Sequence, residues 1–175
     1  MRRVITGHND KGKSIVWYDG PPVEFEGLYE MWMTDQIPAN NTYTGDAAER
    51  IARLEPPPKG SILLFFKLQP EDLTLSREER ERRAATGFAA MDASHCRIDT
   101  SRHPRMHQTR TVDYVVLLEG EVTLLLDEVE VDLKPFDVVI QRGTNHVWIN
   151  KGSQPALLAV VLIDAKPVHE VKSNM

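Results

Sequence analysis

Two histidines and an aspartate stand at the beginnings of two predicted strands, and their types and spacing suit metal or acid–base chemistry. His107 and Asp113 accompany the apolar segment 112–118, and His146 begins the segment 146–150. Side chains alternate between the two faces of a strand, so positions 107 and 113 share one parity. A buried polar group needs a partner or a task. We therefore predict that these three side chains meet inside an otherwise apolar interior.

Two imidazoles and one carboxylate with open positions are the ligand set of non-haem Fe(II) sites, and they also suit Zn, Mn or Ni. The sequence therefore predicts a divalent metal ion held by His107, Asp113 and His146. Without metal, the same groups could exchange protons with a substrate, because histidine titrates near neutral pH. The structural alternative is that a histidine and the aspartate, on facing strands, form a hydrogen-bonded pair that fixes the strand register.

Further residues are predicted to line the same cavity because they share the parity of the proposed ligands. They are Thr109, Trp148 and Asn150. Trp148 could equally belong to the core. Asn150 could orient His146, or it could close the turn after its strand. Arg105, at the mouth or on the surface, could meet an anionic substrate.

Short strands separated by tight turns make up most of the chain from residue 112 onward, and one further strand precedes them at 61–68. Apolar runs predict strands at 61–68, 112–118, 121–126, 129–133, 137–141, 146–150 and 156–163. Gly120 ends one of them, where a tight turn needs positive φ or close backbone approach. Even spacing of this kind indicates an antiparallel sandwich or barrel, so the fold class is all-β. The predicted core comprises Val115, Leu117, Leu124, Leu126, Val139 and Leu158.

One helix and several early strands complete the predicted domain. Ser76 followed by Glu79 is a capping box, which predicts a helix over about 76–91. Strands are predicted at 3–6, 14–18 and 28–34, followed by an irregular connection with one helical turn at 47–54. We predict a single domain, in which residues 1–60 pack on a barrel of residues 61–165 and residues 166–175 form a tail. The early strands are expected to extend the barrel's sheets and to pair with a second subunit in a homodimer.

Composition narrows the function classes. The chain has 175 residues and a formal net charge of -5, which gives no electrostatic footprint for nucleic acid or an anionic membrane. No apolar run predicts a signal peptide or a membrane span, so the default location is the cytoplasm. Cys96 is the single cysteine, so an internal disulfide is excluded. Its neighbour His95 finds no second cysteine that would complete a metal site.

The segment HQTRTVDYVVLLEGE resembles the first motif of the cupin superfamily, more narrowly of small single-domain cupin_2-type proteins. That motif usually reads HxHxxxE, six residues, then G. His107 occupies the first histidine position and Asp113 the glutamate position, and Gly120 follows after six residues. Thr109 stands in the second histidine position, which leaves room for water beside a metal.

The later segment DVVIQRGTNHVWIN resembles the second cupin motif, PxGxxHxxxN, through Gly143, His146 and Asn150. Gln141 replaces its proline. Phe136 stands where the family has glycine in a turn, which predicts either a different turn or a side chain packed at the rim. The resemblance implies a double-stranded β-helix, or jelly-roll, barrel with an N-terminal strand extension and one inserted helix. It also implies a metal site at the matched histidine and carboxylate positions, and it supports a dimer.

Three functions from different classes follow from these residues. The first is a metal-dependent enzyme acting on a small organic molecule in the cavity, as an oxygenase or by isomerase or lyase-type chemistry. The second is a metal-free lyase or isomerase that uses the same three residues as acids and bases. The third is a non-catalytic cupin that binds a small ligand. The sequence names no substrate.

Overall fold

Two antiparallel sheets enclose an apolar core in the part of the chain that the computed structural model describes, residues 1–25, 27–42, 45–48 and 53–167. The strands are β1 Arg3–His8, β2 Ser14–Gly20, β3 Val23–Phe25, β4 Leu28–Thr34, β5 Ser61–Leu68, β6 Thr111–Glu119, β7 Val122–Leu126, β8 Glu130–Leu133, β9 Val138–Arg142, β10 His146–Ile149 and β11 Ala156–Asp164. A six-stranded sheet has the order β3-β4-β5-β11-β6-β9, a three-stranded sheet has the order β10-β7-β8, and β1 pairs with β2. The all-β architecture expected from the sequence is confirmed.

Alternation along the strands builds the core. In β6 and β11 every second residue is buried, because one face of the sheet packs on the opposite sheet while the other remains nearer solvent. Of the residues predicted for the core, Val115, Leu117, Leu124 and Leu158 are at most 4% exposed. The other two, Leu126 and Val139, are partly buried and pack against the same cluster.

One helix, α1, spans Arg77–Ala90 and packs through its second half, where Ala84 and Phe88 are buried. Its N-terminus is capped as the sequence predicts, because the side chain of Ser76 accepts a hydrogen bond from the backbone N–H of Glu79. A short 3₁₀ helix, Ser94–Cys96, follows. Phe88 contacts residues of this turn, so the helix C-terminus and the 3₁₀ helix form one small apolar cluster.

The early strands join the domain in two ways. Strand β4 pairs with β5 and so extends the six-stranded sheet, and β3 adds one further edge strand. The three-residue β3 was not predicted, because it is short and follows two prolines. In β1, the buried guanidinium of Arg3 donates to the carbonyl of Met31 (2.9 Å) and forms an ion pair with Asp46. This contact holds the hairpin β1–β2 beside β4.

Two turns contain a residue with a left-handed backbone, which is a glycine in one turn and a phenylalanine in the other. Gly120 has φ 85°, and a Cβ there would lie 2.8 Å from Cβ of Ala156, so its predicted role at the end of β6 is confirmed. Phe136 also has a positive φ, 74°, yet its side chain is 79% exposed. Both expectations for Phe136 are therefore wrong: the backbone keeps the left-handed turn that normally takes glycine, and the side chain does not pack at the rim.

Several predictions fall partly or wholly outside the described residues. The helical turn at 47–54 includes residues 49–52, and the C-terminal tail includes residues 168–175. Within the described residues, the longest helix is far too short and too polar to cross a bilayer.

Candidate functional site

His107 and His146 face each other across a backbone bridge. The N–H of His107 donates to the carbonyl of His146 (3.0 Å), and the N–H of His146 donates back to the carbonyl of His107 (2.9 Å). Their ring centroids lie 4.4 Å apart. The backbone thus brings together two imidazoles that are 39 positions apart in the sequence.

Each imidazole is held through its Nδ1 atom. Nδ1 of His107 lies 3.0 Å from the carbonyl oxygen of Arg105, and Nδ1 of His146 lies 2.9 Å from that of Thr144. A carbonyl oxygen only accepts, so Nδ1 carries the hydrogen in each neutral ring. Gln141 Nε2 also approaches His146 Nδ1, but both are donors, and Gln141 instead donates to the carbonyl of Thr144 (2.9 Å). Both Nε2 atoms therefore keep a free lone pair, which is the state that a metal ligand requires.

Burial keeps both rings neutral. Loss of solvent lowers the pKa of His107 to about 4. The pKa of His146 falls to about 3, first through burial and then through the neighbouring His107. Near neutral pH the pair consequently offers two lone pairs and no positive charge.

Asp113 of β6 is 4% exposed, and its Oδ1 atom has no hydrogen-bond partner. Burial raises the pKa of this carboxyl to about 6, while a hydrogen bond with Thr111 opposes the shift. The Thr111 hydroxyl also bonds that of Thr109 (2.6 Å), so the residue in the second histidine position belongs to a threonine–aspartate network. An unpaired buried carboxylate oxygen is unusual enough to require an explanation.

Aromatic rings cover the imidazole pair on two sides. The ring of Phe88, from α1, lies 4.9 Å from His107, and the indole of Trp148 lies 5.6 Å from His146 in an edge arrangement. Trp148 is 8% exposed and belongs to the core cluster, while it also borders the cavity. Both of its predicted roles are met by the same side chain.

A cavity of about 300 Å³ opens beside the pair. His107, Thr109, Asp113, His146 and Trp148 all border it, together with apolar side chains that include Leu28, Leu64, Phe66, Phe88, Val160 and Leu162. The structure thus collects five of the six predicted site residues around one space. Whether they bind metal or act on a substrate stays a prediction.

Three cationic side chains border the cavity, whereas the sequence analysis expected only Arg105 near it. Arg53, Lys67 and Arg105 border it, whereas Asp113 is the one carboxylate among its described lining residues. Burial lowers the pKa of Arg105 from its ordinary value, against the opposing effect of Glu71 nearby. Within the described part of the chain, the Arg105 guanidinium has no hydrogen-bond partner.

Asn150, the sixth predicted residue, does not border the cavity. Strand β10 ends at Ile149, so the alternation that would aim residue 150 inward has already stopped. Its Nδ2 donates to the carbonyls of Leu68 (2.9 Å) and Gln154 (2.8 Å), and its Oδ1 accepts from the N–H of Gly152 (2.9 Å). The alternative role, closing the turn, is the one that these bonds describe.

We expect Asn150→Ala to reduce the free energy of unfolding by about 3 to 6 kcal/mol. Two carbonyls and one N–H lose a hydrogen-bond partner at about 1 to 2 kcal/mol each, the lower part of the usual range, because two of these bonds are only partly buried. Urea unfolding followed by circular dichroism measures this change. The matched control is Asn9→Ala, since Asn9 is exposed and also caps a turn, through the N–H groups of Lys11 and Lys13. Equal losses in the two variants would contradict the assigned role of Asn150.

A cluster that the sequence analysis missed lies outside this cavity. Among the described residues, Glu55, His95 and Cys96 are the only group of three or more His, Cys, Asp or Glu whose ligand atoms all lie within 4.8 Å of one another. The sequence reasoning sought a second cysteine and did not consider a carboxylate 40 positions away. Burial raises the pKa of the Cys96 thiol to about 12, so this cysteine is not an activated nucleophile.

The barrel residues fit a metal ion in part. The free Nε2 atoms of His107 and His146 and the unpartnered oxygen of Asp113 are suitable donors that share one cavity. However, these three do not lie within 4.8 Å of one another as the atoms of the missed cluster do. Asp113 is one methylene shorter than glutamate and is engaged with Thr111, so its carboxylate needs a side-chain movement to join the imidazoles.

Fold and site together define a β-barrel protein of two facing sheets, with an imidazole pair at a largely apolar cavity. Residues 95–163 match the family model described as "Cupin domain", which covers the imidazole pair, Asp113 and strands β6 to β10. The match covers less than half of the chain, and within it the sequence is similar to a cupin domain.

Curated relatives also match only a short segment of this chain. "Phomopsin biosynthesis cluster protein C'" of Diaporthe leptostromiformis is 45% identical over 65 residues, 36% of this chain and 34% of that protein. "Oryzines biosynthesis cluster protein J" of Aspergillus oryzae is 46% identical over 67 residues, 37% of each. "Cupin-domain-containing oxidoreductase srdD" of Neurospora crassa is 37% identical over 73 residues, 39% of this chain and 37% of that protein. The match spans about a third of the length of these relatives.

Solved structures that align with part of this chain include an RmlC-like cupin family protein with a double-stranded β-helix fold from Methanocaldococcus jannaschii. It has a TM-score of 0.40 and 12% identity, over 66% of this chain and 84% of that one. A Cupin 2 conserved barrel domain protein from Salinispora arenicola has a TM-score of 0.38 and 12% identity, over 60% and 64% of the two chains.

Proposed function

We propose that this chain is a metal-dependent cupin enzyme that acts on a small organic molecule in the barrel cavity, as an oxygenase or by isomerase or lyase-type chemistry. The observation that carries the proposal is the imidazole pair, whose Nδ1 atoms are fixed by backbone carbonyls and whose Nε2 atoms stay free beside a cavity of about 300 Å³. His107, His146 and, after a side-chain movement, Asp113 would hold a divalent ion such as Fe, Zn, Mn or Ni.

The relatives support enzymatic chemistry. One is named a cupin-domain-containing oxidoreductase, as are two further relatives from Hypocrea virens and Aspergillus ruber. Two others are named biosynthesis cluster proteins. Because three of these relatives are named oxidoreductases, we propose that this chain also acts on a small molecule.

Each residue of the chain has a task in this proposal. A bound metal would polarise an oxygen of the substrate or, in the case of iron, activate dioxygen. The imidazoles of His107 and His146 keep their orientation through the backbone bonds described above. Phe88 and Trp148 exclude water from the pair, which strengthens electrostatic interactions within the cavity.

A metal-free lyase or isomerase is the second candidate, and Asp113 is the observation that favours it. A carboxyl with a pKa of about 6 and one unpartnered oxygen can give or take a proton near neutral pH. In this case Asp113 would be the main acid–base group, because the lowered pKa values of His107 and His146 make their Nε2 atoms weak bases near neutral pH. The third candidate, a non-catalytic cupin, requires only the cavity.

The experiment that separates these candidates has two stages. Metal content of the purified protein is measured after growth with Fe, Mn, Ni and Zn available. The measurement uses the His95→Gln variant, which removes one residue of the separate Glu55, His95 and Cys96 cluster. We expect metal near one equivalent if the first candidate is right, and none under any condition for the other two. Turnover of candidate small molecules by the metal-free protein then separates acid–base catalysis from simple binding.

We propose further that the substrate carries an anionic group, because Arg105 borders the cavity with no hydrogen-bond partner among the described residues. We expect the wild type to bind benzoate more tightly than its neutral counterpart benzamide. Arg105→Gln should reduce this preference by about 10- to 100-fold, the value of one charge-assisted hydrogen bond. Calorimetric titration of both ligands measures it.

The control for this change is Arg82→Gln, because Arg82 is an exposed arginine of α1 that borders none of the described cavities. It should leave both affinities unchanged. A benzoate preference that is the same in Arg105→Gln and in the wild type would refute the anion-binding role.

A cytoplasmic homodimer completes the proposal, with small molecules as ligands and neither nucleic acid nor membrane as a partner. Apolar side chains on the outside of the barrel support a dimer, since Val138 and Ile140 of the edge strand β9 are 59% and 51% exposed. Val16 and Trp17 of the hairpin are 58% and 41% exposed. A monomeric mass by light scattering at micromolar concentration would contradict this part.

A further inference from the structure

Glu55, His95 and Cys96 bring three different ligand atoms together outside the barrel cavity. Oε2 of Glu55 lies 2.9 Å from Nε2 of His95, and the same Nε2 lies 3.5 Å from Sγ of Cys96. Cys96 is 1% exposed, while the side chain of His95 is 58% exposed. The group therefore has a buried soft ligand at its base and an open, adjustable side.

The local backbone fixes two of these ligands. Cys96 ends the 3₁₀ helix, where its N–H donates to the carbonyl of Ala93 (3.0 Å) and its carbonyl accepts from the N–H of Gln108 (2.8 Å). Oε1 of Glu55 accepts from the N–H of Arg110 (2.6 Å). One carboxylate oxygen is thereby anchored and the other is left facing His95, the usual arrangement of a carboxylate that binds a metal through one oxygen.

The distances agree with a tetrahedral zinc site. Zn–N bonds of about 2.0 Å and Zn–S bonds of about 2.3 Å separate the two ligand atoms by about 3.5 Å at a tetrahedral angle. The observed distance from Nε2 to Sγ is 3.5 Å. The corresponding N to O separation is about 3.4 Å, so Glu55 and His95, now 2.9 Å apart, need to move by about half an ångström. The exposure of His95 allows that movement.

We infer that Glu55, His95 and Cys96 form a second metal site, which binds one thiophilic divalent cation of the Zn²⁺ class. A carboxylate and a thiolate neutralise the charge of the ion, and the thiol proton leaves to solvent on binding. Hard cations such as Mg²⁺ prefer oxygen ligands and are disfavoured.

The fourth coordination position faces open space. A cavity of about 630 Å³ lies beside the cluster and is bordered by Glu55 and His95 as well as by Arg110, Arg142 and Lys166. Three cations around that space suit an anionic fourth ligand, such as hydroxide or a carboxylate. The site ties the segment before β5 to the turn after α1, independently of the barrel site and of the proposed function.

Cobalt titration tests the inference, because Co²⁺ bound to a thiolate gives a sulfur-to-metal charge-transfer absorption in the near ultraviolet. Cys96 is the only cysteine of the chain, so the absorption reports this cluster and not the barrel. We expect one equivalent of Co²⁺ to produce it in the metal-free full-length protein and Zn²⁺ to abolish it by displacement. No band at millimolar Co²⁺ would overturn the inference and leave a surface ion pair beside a buried thiol.

Variants assign the ligands. Cys96→Ser should abolish the absorption, and His95→Gln should weaken Co²⁺ binding by at least about tenfold. His95 is exposed, so its replacement tests the site even if the buried Cys96→Ser variant fails to fold. His8→Gln, a change at another exposed histidine, and His107→Ala should both keep the absorption. Wild-type affinity in His95→Gln, or loss of the absorption in His107→Ala, would contradict the assignment.

Discussion

His107→Ala and His146→Ala are each expected to lose most of the metal bound in the barrel while the protein stays folded. Each imidazole contributes one ligand bond that water does not replace at equal strength, so affinity should fall by at least about tenfold. The backbone bridge between the two residues uses only N–H and carbonyl groups, so it survives removal of either ring. Metal analysis after dialysis against a weak chelator measures the loss, and circular dichroism checks the fold.

The second metal cluster must not contribute to this count. All four proteins in this comparison therefore carry His95→Gln: one with the barrel site unchanged, the two alanine variants, and the control His8→Ala. Adventitious zinc is excluded by the chelator. Equal metal content in the control and in both alanine variants would show that the barrel does not bind through its imidazoles, and it would favour acid–base chemistry or simple ligand binding.

Acid is expected to destabilise the metal-free protein through the same two histidines. Their folded pKa values, about 4 and about 3, lie below the ordinary value of 6.5. A group with a lowered folded pKa stabilises the protein fully above its unfolded pKa, and that stability is lost as the pH falls through the folded value. Between pH 7 and pH 4 each histidine should therefore cost about 3 kcal/mol of unfolding free energy, somewhat less for the partly exposed His107.

Asp113 opposes this loss. Its folded pKa of about 6 lies above the ordinary value of 3.8, so its stabilising contribution is full below pH 3.8 and is lost as the pH rises through 6. Between pH 7 and pH 4 it should return about 2 to 3 kcal/mol. The wild-type loss from these three groups is then about 3 to 4 kcal/mol.

Urea unfolding at pH 7 and pH 4, in the presence of chelator, measures these contributions by difference from the wild type. His146→Ala should flatten the acid loss by about 3 kcal/mol, whereas Asp113→Asn should steepen it. His8→Ala, at an exposed position, should leave the difference unchanged. A variant at His146 that loses as much stability in acid as the wild type does would refute the role of burial.

The fold could be predicted from the sequence because its information is local. Strands of alternating or continuous apolar residues, such as Ser61–Leu68, follow directly from the pattern, and the capped start of α1 follows from two residues. The pairing of His107 with His146 was also accessible through their motif spacing. By contrast, parity failed at Asn150, because alternation holds only within a strand and β10 had ended.

Contacts between side chains of distant segments were harder to predict from the sequence. Glu55 joins His95 and Cys96 only after the chain has passed through β5 and α1, and no spacing rule links a carboxylate to a cysteine 41 positions later. Arg105 illustrates the same limit, because its position beside the cavity depends on how the loop before β6 packs against α1. Such contacts are set by tertiary packing rather than by local pattern.

The backbone bridge between His107 and His146 positions these two residues without using their side chains. Its two hydrogen bonds use main-chain atoms that every non-proline residue possesses, so the spacing between these positions is independent of the side chains attached to them. Substitution during evolution can therefore exchange the reactive groups, one position at a time, without loss of strand register. A barrel with this property can gain, change or lose a reaction during evolution while its fold is retained.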